Sequence, residues 1–256
     1  MGERDKVTVW ISLNNIKRAV IALGLLALIV GIIVFQIPPQ KVWKYWSLPL
    51  AGQVIALDAG HGGPDGGAVS QQGLIEKDIN LSVSLYLRDY LQQAGAMVVM
   101  TREEDKDLAN EGTRGYSKRK TEDLKRRVRF VQEKQANLLV SIHMNSIPSP
   151  RWKGAQTFYY SNHGDSANLA DLVQEELKRN LENTDRVAKP SDKTVYLLES
   201  LHLPAILVEV GFLSNPGEAE LLGSESYQRK VAASIYQGIL RYYSGEKKER
   251  QADDVR

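Results

Sequence analysis

Two histidines and two glutamates carry the chemistry in this chain. His61 sits in Asp58-Ala59-Gly60-His61-Gly62-Gly63, and Glu76 in Gly73-Leu74-Ile75-Glu76-Lys77-Asp78. His143 sits in Ser141-Ile142-His143-Met144-Asn145, and Glu209 in Val208-Glu209-Val210-Gly211-Phe212. Two imidazoles and a carboxylate can hold a zinc ion and leave one position open. A zinc ion so held lowers the pKa of a bound water to about 7 and polarises a carbonyl. A further carboxylate, outside the ligand set, can then carry a proton to a leaving nitrogen. Glu209 is the candidate for that role. The chemistry in view is metal-assisted hydrolysis.

Each residue has a plainer reading. A histidine at a strand end is often a hydrogen-bonded structural residue. Glu76 alone suits the first turn of a helix, where the dipole favours a carboxylate. Glu209 in an apolar run is harder to explain this way, because an ionised carboxylate there is costly unless it is paired or used. The glycine-rich stretch after His61 lacks the spacing of a phosphate-binding loop.

The elements around these segments decide whether they can meet. Short apolar runs alternate with helical patterns. Val54–Leu57, Met97–Met100, Leu138–Ile142, Thr157–Tyr160 and Ala205–Val210 read as strands. Asp78–Ala94, Thr121–Gln135, Ala167–Leu181 and Ser224–Tyr243 read as helices, with Gly95 closing the first and Thr121 capping the second. This alternation predicts an α/β domain with a mixed, largely parallel central sheet flanked by helices. In such sheets ligands bind beyond the carboxyl ends of the strands. His61, His143 and Glu209 follow or end strands, and Glu76 opens a helix. One rim can therefore collect residues as far apart as His61 and Glu209. The charged segment Arg102–Lys120 reads as a long loop, either a solvated connection or a rim of the site.

Composition narrows the class. The chain has 256 residues, 33 basic against 31 acidic and a net charge of +2, which gives no reason to expect nucleic acid. It has no cysteine, so disulfides and thiolate metal sites are excluded. The other two histidines, His163 and His202, fall outside the four segments and read as surface or structural residues.

The first 18 residues form a basic N-terminal segment, and residues 19–37 are apolar except for Gln36. At 1.5 Å per residue such a helix spans roughly 28 Å, close to a bilayer core. No small-x-small site follows it, so an uncleaved transmembrane signal-anchor is favoured over a cleaved signal. The basic residues before it place the rest of the chain outside. Trp43, Tyr45 and Trp46 suit an interfacial belt or packing against the domain. Residues 38–52 read as a linker, 53–243 as the catalytic domain and 244–256 as a charged, disordered tail.

Across 54–243 the chain resembles the zinc-dependent N-acetylmuramoyl-L-alanine amidases of the amidase-3 family. The resemblance rests on Leu57-Asp58-Ala59-Gly60-His61-Gly62-Gly63, Glu76-Lys77-Asp78-Ile79-Asn80-Leu81, Thr101-Arg102, Ser141-Ile142-His143-Met144-Asn145-Ser146 and the run from Leu203 to Asn215. Ala59 and Met144 depart from the family's frequent Pro and Ala at positions that supply no chemistry. The resemblance implies one Zn2+ held by His61, Glu76 and His143, with Glu209 as the catalytic glutamate. The implied substrate is peptidoglycan, cut at the amide between the lactyl group of N-acetylmuramic acid and L-alanine. Asn145 and Arg102 are candidate substrate contacts or structural residues. The chain is most similar to the germination-specific, spore-cortex branch, whose work lies outside the cytoplasmic membrane and leads to muramic δ-lactam. Residues 144–195 look too short for the inserted plug of larger members, so an activating or regulatory protein partner is one expected control. The alternatives are a non-catalytic wall-binding protein and a zinc peptidase cutting elsewhere in the stem.

Overall fold

The computed structural model describes residues 12–36, 48–161, 163–191 and 195–248. Trp43, Tyr45, Trp46, most of the expected linker and residues 249–256 of the expected tail lie outside these. The chain divides into two units, 1–48 and 49–256.

In the first unit, helix α1 spans Leu13–Gln36. Its Leu13–Ile33 portion has mean hydropathy 2.3 and is long and apolar enough to cross a membrane.

The second unit is built on β1 (Val54–Ala59), β2 (Met97–Met100), β3 (Leu138–Asn145), β4 (Gln156–Tyr159), β5 (Lys189–Pro190) and β6 (Ala205–Phe212). They form one sheet in the order β2-β1-β3-β6-β4-β5. β1 pairs in parallel with β2 and β3, and β3 with β6, while β4 runs antiparallel to β6. The expected mixed, largely parallel sheet is therefore observed. β1 and β3 are near-continuous apolar runs because helices cover both faces of central parallel strands.

The helices follow from their stripes. α2 (Glu76–Gln93) buries Ile79, Val83, Leu87 and Leu91, one residue per turn. Gly95, at φ 94°, ends it: its N–H donates to Gln92 O, and that of Ala96 to Leu91 O. α4 (Gly164–Leu181) and α7 (Glu225–Tyr243) pack beside α2 against the larger core, around Leu57, Ile142 and Val208. α3 (Tyr116–Glu133) and the short α5 (Tyr196–Glu199) cover the other face, over Ala56, Leu139 and Leu207.

Three local expectations need correction. α3 begins at Tyr116, and Thr121 lies inside it with its hydroxyl donating to Ser117 O. Its first turns carry no apolar period. They are held by contacts that periodicity cannot show: Arg119 donates to both oxygens of Asp107 at 2.6 and 2.7 Å, and Leu108 N donates to Asp123. α6 (Pro216–Leu222) is an additional helix, too short for a periodic stripe. Asn215 before Pro216 is nonetheless an N-cap signature, and Asn215 Oδ1 accepts from Glu218 N. Residues 246–248, expected in the tail, lie along α4, where Lys247 pairs with Asp165 and Lys248 N donates to Asn168.

Candidate metal centre

His61 stands two residues beyond β1, at the carboxyl edge of the sheet. Its φ of 64° is left-handed, an uncommon state for a residue with a Cβ that costs about 1–3 kcal/mol. Arg127 pins it there by donating to His61 O at 2.7 Å. The Asp65 carboxylate lies 2.9 Å from His61 Nδ1. Tyr116 Oη donates to Asp65, and Lys120 pairs with it. A carboxylate beside Nδ1 favours a proton there, which leaves Nε2 as the atom turned to a metal. That Nε2 lies 3.1 Å from Glu76 Oε1. Burial opposes a charge on His61, but the hydrogen bonds to Asp65 and Glu76 outweigh it and lift the imidazole to about 9.

Glu76 is the first residue of α2 and is 3% exposed. Ala68 N donates to its Oε2 at 2.8 Å and Met144 N to its Oε1 at 3.0 Å. Burial disfavours its charge, yet His143 and His61 hold it well below the usual carboxylate range. His143, near the end of β3, places Nδ1 3.2 Å from the same Oε1. One donor atom from each of His61, Glu76 and His143 lies within 4.8 Å of the other two.

Two glycines leave room for this cluster. A Cβ on Gly67, at φ 70°, would stand 2.5 Å from Glu76 Oε2 and 2.8 Å from the His61 ring. A Cβ on Gly60 would collide with the His143 ring. We expect Gly67→Ala to weaken metal binding at least tenfold, because both the left-handed backbone and the carboxylate must shift. Metal titration of the purified variant checks this, and unchanged affinity would refute it.

Glu209 faces the cluster from the neighbouring strand. It pairs with His143 across β3 and β6, just before a register shift in that ladder. Paired residues point to the same face, so the two side chains are neighbours. Its Oε2 is shut off from solvent and accepts no hydrogen bond among the described residues. Burial pushes its carboxyl up to about 7, while His143 works the other way. A carboxyl poised there can take and give a proton near neutral pH.

The remaining candidates separate. Asn145 ends β3 and is partly exposed on the rim, its carbonyl accepting from Leu213 N. Arg102 is 2% exposed, and its guanidinium donates to the carbonyls of Ala59, Gly60, Glu104 and Lys77. It braces the turn that carries His61. The loop after it also belongs to the rim, because Asp105 accepts from Gly63 N at 2.8 Å and from Lys77 at 2.6 Å. His163 and His202 take no part in the cluster.

Asp65 and Arg127 are site residues that the four motifs do not contain. Arg127 is 2% exposed and donates to Asp58, Asp123 and Ala59 O besides His61 O. Asp58 also accepts from Thr101 and Ser141. Burial works against the Asp58 charge, but Arg127, His143 and Ser141 hold its carboxyl at about 2. Arg127→Met leaves two buried carboxylates without their cation. We expect a loss of about 3–5 kcal/mol, read by urea unfolding; a loss below about 1 kcal/mol would show the pair to be dispensable.

Such a donor cluster could hold a metal ion, with a carboxylate beside it at the carboxyl edge of a mixed α/β sheet. The sequence pattern of the N-acetylmuramoyl-L-alanine amidase family matches residues 55–241, and the chain belongs to that family. It is therefore an amidase of the hydrolase class. It is 55% identical over 210 residues to the germination-specific N-acetylmuramoyl-L-alanine amidase of Bacillus subtilis (strain 168), covering 82% of this chain and 88% of that one. Among solved structures, it is similar to the CwlD amidase of Clostridioides difficile in complex with the GerS lipoprotein. That match has TM-score 0.74 and 42% identity, over 76% of this chain and 100% of that one. It is also similar to the catalytic domain of the CwlV amidase of Bacillus (Paenibacillus) polymyxa var. colistinus, with TM-score 0.64 and 32% identity over 76% and 99%.

Proposed function

We propose that this chain hydrolyses the amide between the lactyl group of N-acetylmuramic acid and L-alanine, using one zinc ion held by His61, Glu76 and His143. The observation that carries the reading is the convergence of their donor atoms beside an orphaned carboxylate oxygen of Glu209. The donor set suits zinc, being nitrogen and carboxylate oxygen with no thiolate. Zinc, when bound, supplies a Lewis acid that activates water and polarises the amide carbonyl. Glu209 accepts a proton from the attacking water and delivers it to the L-alanine nitrogen as the C–N bond breaks. The products are a lactyl carboxylic acid and a stem with a free amino terminus. Asp65 orients His61 through Nδ1, and Arg127 and Arg102 hold the backbone that presents it. Asn145 ends β3 on the same rim and is partly exposed, which supports a substrate contact for it.

The biological setting is the spore cortex. The 55% identical relative from Bacillus subtilis bears a germination-specific name, which supports this. Helix α1 supports a signal-anchor with the catalytic unit on the outer face of the cytoplasmic membrane, in the cortex space of a sporulating cell. The Clostridioides difficile amidase was solved with a lipoprotein, which supports a regulatory protein partner for this chain as well. Muropeptide analysis of spores lacking the chain tests the setting. Loss of muramic δ-lactam from the cortex is the expected result, and an unchanged lactam content would contradict it.

A further inference from the structure

Arg186 lies just before β5 and is partly buried. Its guanidinium stands 4.9 Å from the Phe212 ring centre and 5.7 Å from that of Trp152. Its Nε donates to Lys153 O at 3.0 Å and its Nη1 to Gln156 Oε1 at 2.9 Å. Two rings and two hydrogen bonds thus fix an arginine to which no carboxylate pairs among the described residues. Glu218 is close enough to feel its charge, but spends its oxygens on Gly154 N, Phe212 N and Asn183 Nδ2. Trp152 is 43% exposed and carries a second cation, Arg151, 5.5 Å from its ring. A preorganised guanidinium backed by aromatic faces suits carboxylate recognition.

Its place relative to the metal centre follows from strand register. His143 pairs with Glu209, and Glu209 with Gln156, so these residues form one row across β3, β6 and β4. Paired residues share a face, so Gln156 flanks Glu209 on the side away from His143. Neighbouring strands are about 5 Å apart, and Arg186 stands one hydrogen bond beyond Gln156. An extended peptide advances about 3.5 Å per residue. A stem cut at Glu209 would reach the guanidinium with its second residue if it ran along this row.

We propose that Arg186, backed by Trp152, binds a carboxylate on the substrate one residue beyond L-alanine. In peptidoglycan that group is the free α-carboxylate of the second stem residue. The assignment rests on the amidase reading above, which puts the scissile amide at Glu209, and it gives the stem a direction across the site.

Two soluble muropeptides test it, one with that carboxyl free and the other with it amidated. The wild-type enzyme is expected to favour the free acid by roughly ten- to hundredfold in kcat/KM, the range of a charge-assisted hydrogen bond. Arg186→Met should erase the preference by raising KM for the acid alone, and Arg186→Lys should restore part of it. Equal wild-type handling of the two substrates would overturn the assignment even if the variants fail to fold. So would an equal loss on both substrates in Arg186→Met. Failure of the amidase reading has a different signature, because the wild type would then release no L-alanine stems from either muropeptide.

Discussion

Glu209→Gln is expected to retain its metal and to lose activity by roughly 10²–10⁴-fold. The amide has nearly the same volume as the carboxylate but cannot relay a proton at neutral pH. Among the described residues Glu209 Oε2 makes no hydrogen bond that holds the fold together, so the variant should fold normally. The neighbouring cluster takes its support from elsewhere, Glu76 from Ala68 N and Met144 N. The loss should therefore appear in turnover while metal content stays at the wild-type value. Metal analysis paired with release of L-alanine stems separates the two quantities. Near-normal turnover would remove Glu209 from the mechanism.

His61→Ala and His143→Ala should fail differently. Each removes one of three donors, and the two that remain do not make a closed set for zinc. Both variants should lose bound metal and activity together, without a comparable loss of fold. The wider support of the site argues for this. The buried network of Asp58, Arg127 and Asp123 holds the loop through the His61 carbonyl, not through its imidazole. Full metal occupancy in either variant would refute the ligand assignment.

These expectations draw on residues that the sequence shows unequally. The strands and the main helices are legible because their apolar periods are strong, as in β1 and in the stripe of α2. Strand ends then put His61, His143 and Glu209 on one edge, and the structure brings them there. The supporting residues are less visible. Arg127 is a cation on a charged helix, and nothing local says that it is buried against Asp58, 69 positions away. Asp65 follows His61 by four residues within the glycine-rich turn, and that short spacing is the one local signal of their contact. Arg186 becomes informative only once register puts Gln156 beside Glu209. The start of α3 is hidden for the same reason. Its first turns are stabilised by ion pairs with a loop and carry no apolar stripe.

Arg102 shows how chemistry and packing trade places. By type and position it is a candidate for substrate. In the fold its donors are taken up by backbone carbonyls of the turn before His61 and of the first turn of α2. It serves the site by fixing the distance between the segments that carry His61 and Glu76.

The most direct test of the central claim is a muropeptide profile of purified peptidoglycan digested by the full chain, with and without a zinc chelator. Free stems beginning with L-alanine are expected in the untreated digest, with their disappearance under chelator and their return when zinc is restored. Cuts inside the stem, or an intact wall in the presence of stoichiometric zinc, would contradict it.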